Sequence, residues 1–292
     1  MVSGILFIDK STGPTSHTVV ATARRSLNTR KVGHAGTLDP MATGLLTLGV
    51  GTSTRLLTYL VGLDKQYTAT VRLGSATHTD DREGDVVFVA EPSRLGDVTD
   101  AEIGDVIRTL TGTISQRPSS VSAIKIEGKR AHELVREGQD VVIPEREVTV
   151  SRFDVLKRTR SDDFIDLDVI VDCSSGTYIR ALARDLGEAL GVGGHLTALR
   201  RTRVGPFDVT DAIDISNISE SALHSPAEIA GRLFPLITVD EQHAVDIVHG
   251  KKIVLDVPDS PLVAVCAPDG VLIALVAFRK GVGRVEIGFP RD

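Results

Sequence analysis

At 292 residues, with 41% hydrophobic and 25% charged side chains, the chain exceeds one typical domain and is too apolar to be disordered, which leaves a large globular domain with a smaller companion. The N-terminal MVSGILFIDK has no basic leader and meets Asp9 early, and the longest uncharged run, Pro40 to Thr54, is broken by glycines and threonines, so neither a secretory signal nor a membrane span is expected. A net charge of −6 argues on average against a nucleic-acid partner, but charge is strongly segregated along the chain.

Taken from the N-terminus, the first alternating apolar run, Gly4 to Ile8, predicts a strand. Residues 10 to 38 then contain no acid and carry Lys10, Arg24, Arg25, Arg30 and Lys31. Near the end of that stretch comes Gly33-His34-Ala35-Gly36-Thr37-Leu38-Asp39-Pro40-Met41-Ala42-Thr43-Gly44. Three glycines, a proline and an imidazole around one acid predict a tight loop, poor in bulky side chains, in which a carboxylate is held while a ligand approaches the backbone. On residue types alone an ordinary turn, with Asp39 satisfying nearby amides, explains it as well.

Tyr67 to Leu73 and Asp85 to Val89 read as strands. Residues 80 to 105 hold nine acids against Arg82 and Arg94, a local balance of −7. Thr99 and Glu102 have capping-box spacing ahead of Ile103, Ile107 and Leu110, which predicts a helix. A second basic stretch runs from Arg117 to Arg136, followed by strand patterns at Val148 to Leu156 and Phe164 to Asp172.

Tyr178 to Leu190 keeps apolar residues at helical spacing, with Thr177 or Ser175 as cap candidates. A third basic stretch, Arg200, Arg201 and Arg203, has no acid between Glu188 and Asp208. Three basic segments meeting in space would hold a polyanion; three solvated faces would not. From Ser216 to Pro235 the composition shifts to Ser, Ala and Glu. Short runs at Ile253 to Leu255, Leu262 to Cys266, Val271 to Phe278 and Arg284 to Ile287, separated by Gly and Pro turns, predict a small all-β module. Cys173 and Cys266 lack CxxC spacing and read as reduced thiols without a metal role. The mixture favours an α+β fold with a mixed, largely antiparallel sheet flanked by helices.

GHAGTLDPMATGLL resembles the catalytic loop of the TruB family of pseudouridine synthases. GILFIDKSTGPTSH, KQYTATVRLG, SAIKIEGKRAHELVREG, CSSGTYIRALARDLG and HLTALRRTRVGPF are similar to that family in order and spacing, over about residues 4 to 210. Ser11, His78, Pro118 to Val121 and His132 depart from the usual family pattern. The resemblance implies a pseudouridine synthase catalytic domain over 1–230, with an RNA-gripping insertion at about 117–145, and a C-terminal PUA-like RNA-binding domain over 231–292.

The resemblance also assigns roles. Asp39 is implied as the essential carboxylate for breaking the N-glycosidic bond of uridine and re-forming a bond to C5, through either a covalent or a glycal-type intermediate. Tyr67 is implied to lie against the target base, offsetting the stacking lost when uridine is extruded. Arg180 would pair with Asp39, Tyr178 would flank the nucleotide, and Leu199 would wall the pocket. His34 would help replace bases as the target leaves its loop. Lys125, Lys129, Arg130 and Arg136 would hold RNA phosphates. The implied substrate is uridine 55 in the T-loop of tRNA, with contacts to the T-stem, no metal or other cofactor, no obligatory protein partner, and a cytoplasmic monomer adequate for one tRNA. A noncatalytic tRNA-binding or tRNA-folding protein would need the same basic surface but no ionised Asp39.

Overall fold

The computed structural model describes residues 2–119, 125–126, 129–130 and 144–290. They fall into two compact units, each discontinuous in sequence: one within Met1–Pro40, Gly44–Val61 and Pro206–Asp292, the other within Met41–Thr43 and Gly62–Gly205.

The first unit opens with β1 (Gly4–Lys10), α1 (Ser16–Ser26), β2 (Val32–Ala35), β3 (Thr43–Val50) and α2 (Leu57–Val61). Thr15 caps α1 by accepting from the Thr18 N–H, and Val19, Val20 and Ala23 form its buried side. β3 pairs antiparallel with β1 from Gly4↔Val50 to Lys10↔Gly44, and with β2 from Val32↔Val50 to Ala35↔Thr47. The segment from Gly33 to Gly44 is therefore not one loop: both ends lie in strands, because Val32 to Ala35 and the residues after Ala42 find ladder partners.

The second unit holds β4 (Lys65–Leu73), β5 (Ser75–Thr77), β6 (Val86–Val89), α3 (Pro92–Asp97), α4 (Asp100–Thr109), β7 (Gly112–Gln116), β8 (Lys125–Ile126), β9 (Lys129–Arg130), β10 (Arg146–Arg160), β11 (Ile165–Cys173), α5 (Ile179–Ala189) and β12 (Gly194–Val204). Five of these strands lie in the order β12-β4-β11-β10-β7, with antiparallel neighbours where the pairing is resolved. β4 buries every second residue, Lys65, Tyr67, Ala69, Val71 and Leu73, as a strand with one covered face should. The capping box at Thr99 and Glu102 is present at the start of α4.

Helix α5 buries Ile179, Leu182, Ala183 and Leu186. It approaches the start of β12 so closely that a Cβ on Gly187 would stand 2.1 Å from the Gly193 carbonyl carbon, so only glycine fits there. Neither Thr177 nor Ser175 is its N-cap. Tyr178 occupies that position without a side-chain cap, and the Thr177 hydroxyl instead donates backward to Ser174 O at 3.0 Å.

The first unit resumes with β13 (Phe207–Asp208), β14 (Ile213–Asp214), α6 (Pro226–Leu233), β15 (Leu236–Thr238), α7 (Glu241–Val248), β16 (Ile253–Val254), β17 (Ser260–Cys266), β18 (Leu272–Arg279) and β19 (Val282–Gly288). β14 runs parallel to β1, aligning Ile8 with Ile213. The Ser- and Ala-rich stretch before Pro235 contains α6, which buries Ile229 and Ala230 completely. The C-terminal sheet has the order β15-β17-β18-β19-β16. Ala244 and Ile247 of α7 join its Val263, Val265, Ile273, Val276 and Phe278 in one apolar cluster. Cys173 and Cys266 are buried free thiols, and no helix among the described residues is long and apolar enough to cross a membrane.

Candidate active site

Asp39 follows β2 on a loop whose backbone is pinned on both sides of it. Gly36 turns the chain with φ +89°, a left-handed conformation suited to glycine. The hydroxyl of Ser16, itself 1% exposed, accepts from the Leu38 N–H at 2.9 Å and donates to the Leu38 carbonyl at 3.1 Å. On the other side, the Pro40 carbonyl accepts from the Gly13 N–H at 2.9 Å and from Lys10 Nζ at 3.2 Å. Lys10 also donates to Ser11 O at 3.0 Å. Asp39 is left half-buried between two fixed peptides. His34, in β2, meets the ring of His17 edge-on with centroids 5.6 Å apart.

In the second unit, the register of β4 and β12 sets Tyr67 opposite Arg201 and Ala69 opposite Leu199. Tyr67 and Leu199 are thus diagonal neighbours on one face, each 8% exposed. Tyr178 is positioned through its backbone: its N–H donates to Gln116 Oε1 at 2.8 Å and its carbonyl accepts from Gln116 Nε2 at 3.1 Å. Gln116, 2% exposed at the end of β7, has no sequence pattern to announce it.

Arg180 is 5% exposed. Its guanidinium donates to Thr79 O at 2.9 Å and to Asp81 Oδ2 at 3.2 Å. Asp81 is 3% exposed, and its other carboxylate oxygen accepts from the Thr79 hydroxyl at 2.7 Å and the Glu83 N–H at 3.0 Å. A buried arginine needs such a countercharge. In the sequence Asp81 is hidden as one of nine acids in an acidic run.

Two of the basic stretches are partly internal. Arg201 is 1% exposed, and Arg203 donates to the Asp172 carboxylate at 2.6 Å. Lys10 is likewise 1% exposed, and Arg24 donates to Val32 O at 2.8 Å. Lys10 in β1 and Arg201 in β12 are turned into the interior and serve the fold. Burial, then the nearby Arg201 cation, lowers the Lys65 pKa to about 8. Burial raises the Cys173 thiol to about 11. Lys125 and Arg130 pair across β8 and β9, while Arg136 lies outside the described residues. Among the described residues no cluster of three His, Cys, Asp or Glu could hold a metal ion.

Residues 24–179 match the model of the TruB family pseudouridylate synthase N-terminal domain. The chain belongs to the TruB family. Residues 180–238 match the tRNA pseudouridylate synthase B C-terminal domain, and 234–290 match a tRNA pseudouridine synthase II C-terminal domain. The TruB relatives include a tRNA pseudouridine synthase B of Leifsonia xyli subsp. xyli, 54% identical over 99% of this chain and 97% of that one. Another, from Corynebacterium efficiens, is 57% identical over 85% of this chain and 84% of its own. Among solved structures, a chain of an H/ACA RNP bound to a substrate RNA containing 2'-deoxyuridine superposes with TM-score 0.72 at 26% identity, covering 99% of this chain and 86% of that one. The archaeal box H/ACA sRNP Nop10-Cbf5 complex gives TM-score 0.70 at the same identity, covering 99% and 87%. This TruB chain therefore has the pseudouridine synthase fold, with its C-terminal sheet in the region of the family's C-terminal domain.

Proposed function

We propose that this chain converts uridine to pseudouridine in tRNA, at position 55 of the T-loop, with Asp39 as the catalytic carboxylate. One observation carries the reading: the loop GHAGTLDPMATG of a TruB-family chain holds its single acid between two peptides fixed by Ser16, Gly13 and Lys10. A rigid carboxylate loses little on meeting a ribose, which is how positioning lowers a barrier.

The reaction is an isomerisation and needs no external reagent. The N1–C1′ bond breaks, the freed uracil turns, and C5 bonds to C1′; N1 ends protonated and C5 gives up its proton. Asp39 either attacks C1′ or removes the C2′ proton to form a glycal, and both routes need its charged oxygen. Flipping the uridine out costs a few kcal/mol, and stacking on Tyr67 returns roughly 1–3 kcal/mol. Leu199 would wall the uracil, Tyr178 would flank its nucleotide, and His34 would fill space vacated in the T-loop. Arg180, held by Asp81, would supply a cation that orients Asp39.

Residues 1–230 would form the catalytic portion. The insertion at about 117–145, with Lys125, Lys129, Arg130 and Arg136, and the portion 231–292 would grip the RNA. A cytoplasmic monomer suffices for one tRNA. Tritium release from C5-labelled uridine in a tRNA transcript tests the reading. The Asp39→Asn variant is expected to bind tRNA normally and release no tritium; release at the wild-type rate removes Asp39 from its role.

A further inference from the structure

A second buried ion pair lies beside Arg180. Arg184 is four residues further along α5, on the same side, and is 9% exposed. It donates to Asp80 Oδ2 at 3.2 Å, to Asp185 Oδ1 at 2.9 and 2.7 Å, and to the Arg117 carbonyl at 2.7 Å. Residues 117–119 open the insertion, so Arg184 holds its root.

Ser119 ties the same root to the same loop. It is fully buried and donates to Thr79 O at 3.1 Å, the carbonyl that also accepts from Arg180. A carbonyl has two lone pairs, and here the insertion root and the Arg180 guanidinium share them. Asp80, between Thr79 and Asp81, adopts φ +59° and accepts through its carbonyl from the Leu196 N–H at 3.0 Å. A left-handed non-glycine residue persists only where its surroundings hold it. The turn at 79–81 is thus gripped by Arg180, Arg184, Ser119 and Leu196 together.

We propose that Asp80, Arg184 and Ser119 are positioning residues that couple the root of the RNA-gripping insertion to Arg180, so that tRNA held by the insertion sets the guanidinium through the shared Thr79 carbonyl. The inference rests on the reading of Arg180 as a site residue. It gives the insertion a part in the chemical step as well as in affinity. A buried ion pair tolerates little displacement, and a misplacement of about 1 Å can cost about a hundredfold in rate.

The test compares single-turnover tritium release at saturating tRNA, and tRNA affinity, for Ser119→Ala, Arg184→Met and Arg184→Lys, with Ser119→Ala repeated in an Arg180→Lys background. Ser119→Ala and Arg184→Met are expected to slow release by roughly tenfold or more with affinity within about twofold of wild type, and Arg184→Lys to restore part of the rate. Ser119→Ala should add nothing once Arg180 is replaced, because both act through one group. Wild-type release by Ser119→Ala, or full additivity with Arg180→Lys, overturns the proposal. Ser119→Ala removes one hydroxyl and decides the matter should Arg184→Met fail to fold. A wild-type protein that releases no tritium overturns the underlying function, whereas an active wild type with an unaffected Ser119→Ala overturns the coupling alone.

Discussion

Ser16 and Leu38 exchange two hydrogen bonds, at 2.9 and 3.1 Å, so that one hydroxyl satisfies both backbone polar groups of the residue before Asp39. Replacing Ser16 with alanine strands a buried donor and a buried acceptor, at a cost of about 1–3 kcal/mol. Urea denaturation should show that loss, and turnover should fall while tRNA affinity holds. Unchanged stability would mean that water or a neighbour takes over both bonds.

Gln116 offers a similar test in the other unit. Its amide clamps both backbone groups of Tyr178, so Gln116→Ala should destabilise the protein by about 1–3 kcal/mol and lower turnover. Gln116→Glu keeps the shape and the acceptor but sets a buried, unpaired carboxylate oxygen against Tyr178 O, and should destabilise at least as much as Gln116→Ala in the same denaturation series.

The buried pair Lys65 and Cys173, aligned across β4 and β11, gives stability an unusual pH profile. Lys65 drops from 10.5 to about 8 on folding, so above pH 8 the unfolded chain binds more protons and stability rises with pH. Cys173 climbs from 9.0 to about 11, so above pH 9 the folded chain binds more protons at that site and the gain is opposed. Unfolding free energy should therefore rise between these two onsets and flatten beyond. Lys65→Met should abolish the rise, and Cys173→Ala should prolong it; a flat wild-type profile would contradict both assignments.

Binding of tRNA should weaken steeply with salt, since each phosphate contact contributes roughly 0.7–0.9 to the slope of log affinity against log salt. Changing Lys129 and Arg130 together to alanine should reduce that slope by about 1.4–1.8 units. An unaltered slope would take Lys129 and Arg130 out of the RNA footprint.

Local signals in the sequence carried far. The α4 capping box needs only Thr99 and Glu102, and β4 shows its covered face by simple alternation. β12 is harder to see: shifts of register near Ala198 and Arg203 break its alternation, and its arginines read as either a polyanion-binding or a solvated surface although Arg201 is interior. Asp81 was illegible for another reason. Its partner Arg180 is 99 positions away, and no periodicity links residues that only the folded sheet brings together.

The alignment of Ile8 with Ile213 has a consequence for how the molecule is made. Strand β1, which ends at Lys10 and so at the anchor of Pro40, leaves the ribosome long before its parallel neighbour β14. Such distant pairing must await translation of everything between the two strands, and closing so large a loop is slow. A nascent chain halted before Ile213 would leave β1, which anchors the Asp39 loop through Lys10, without its β14 partner, which suits chaperone engagement more than RNA chemistry.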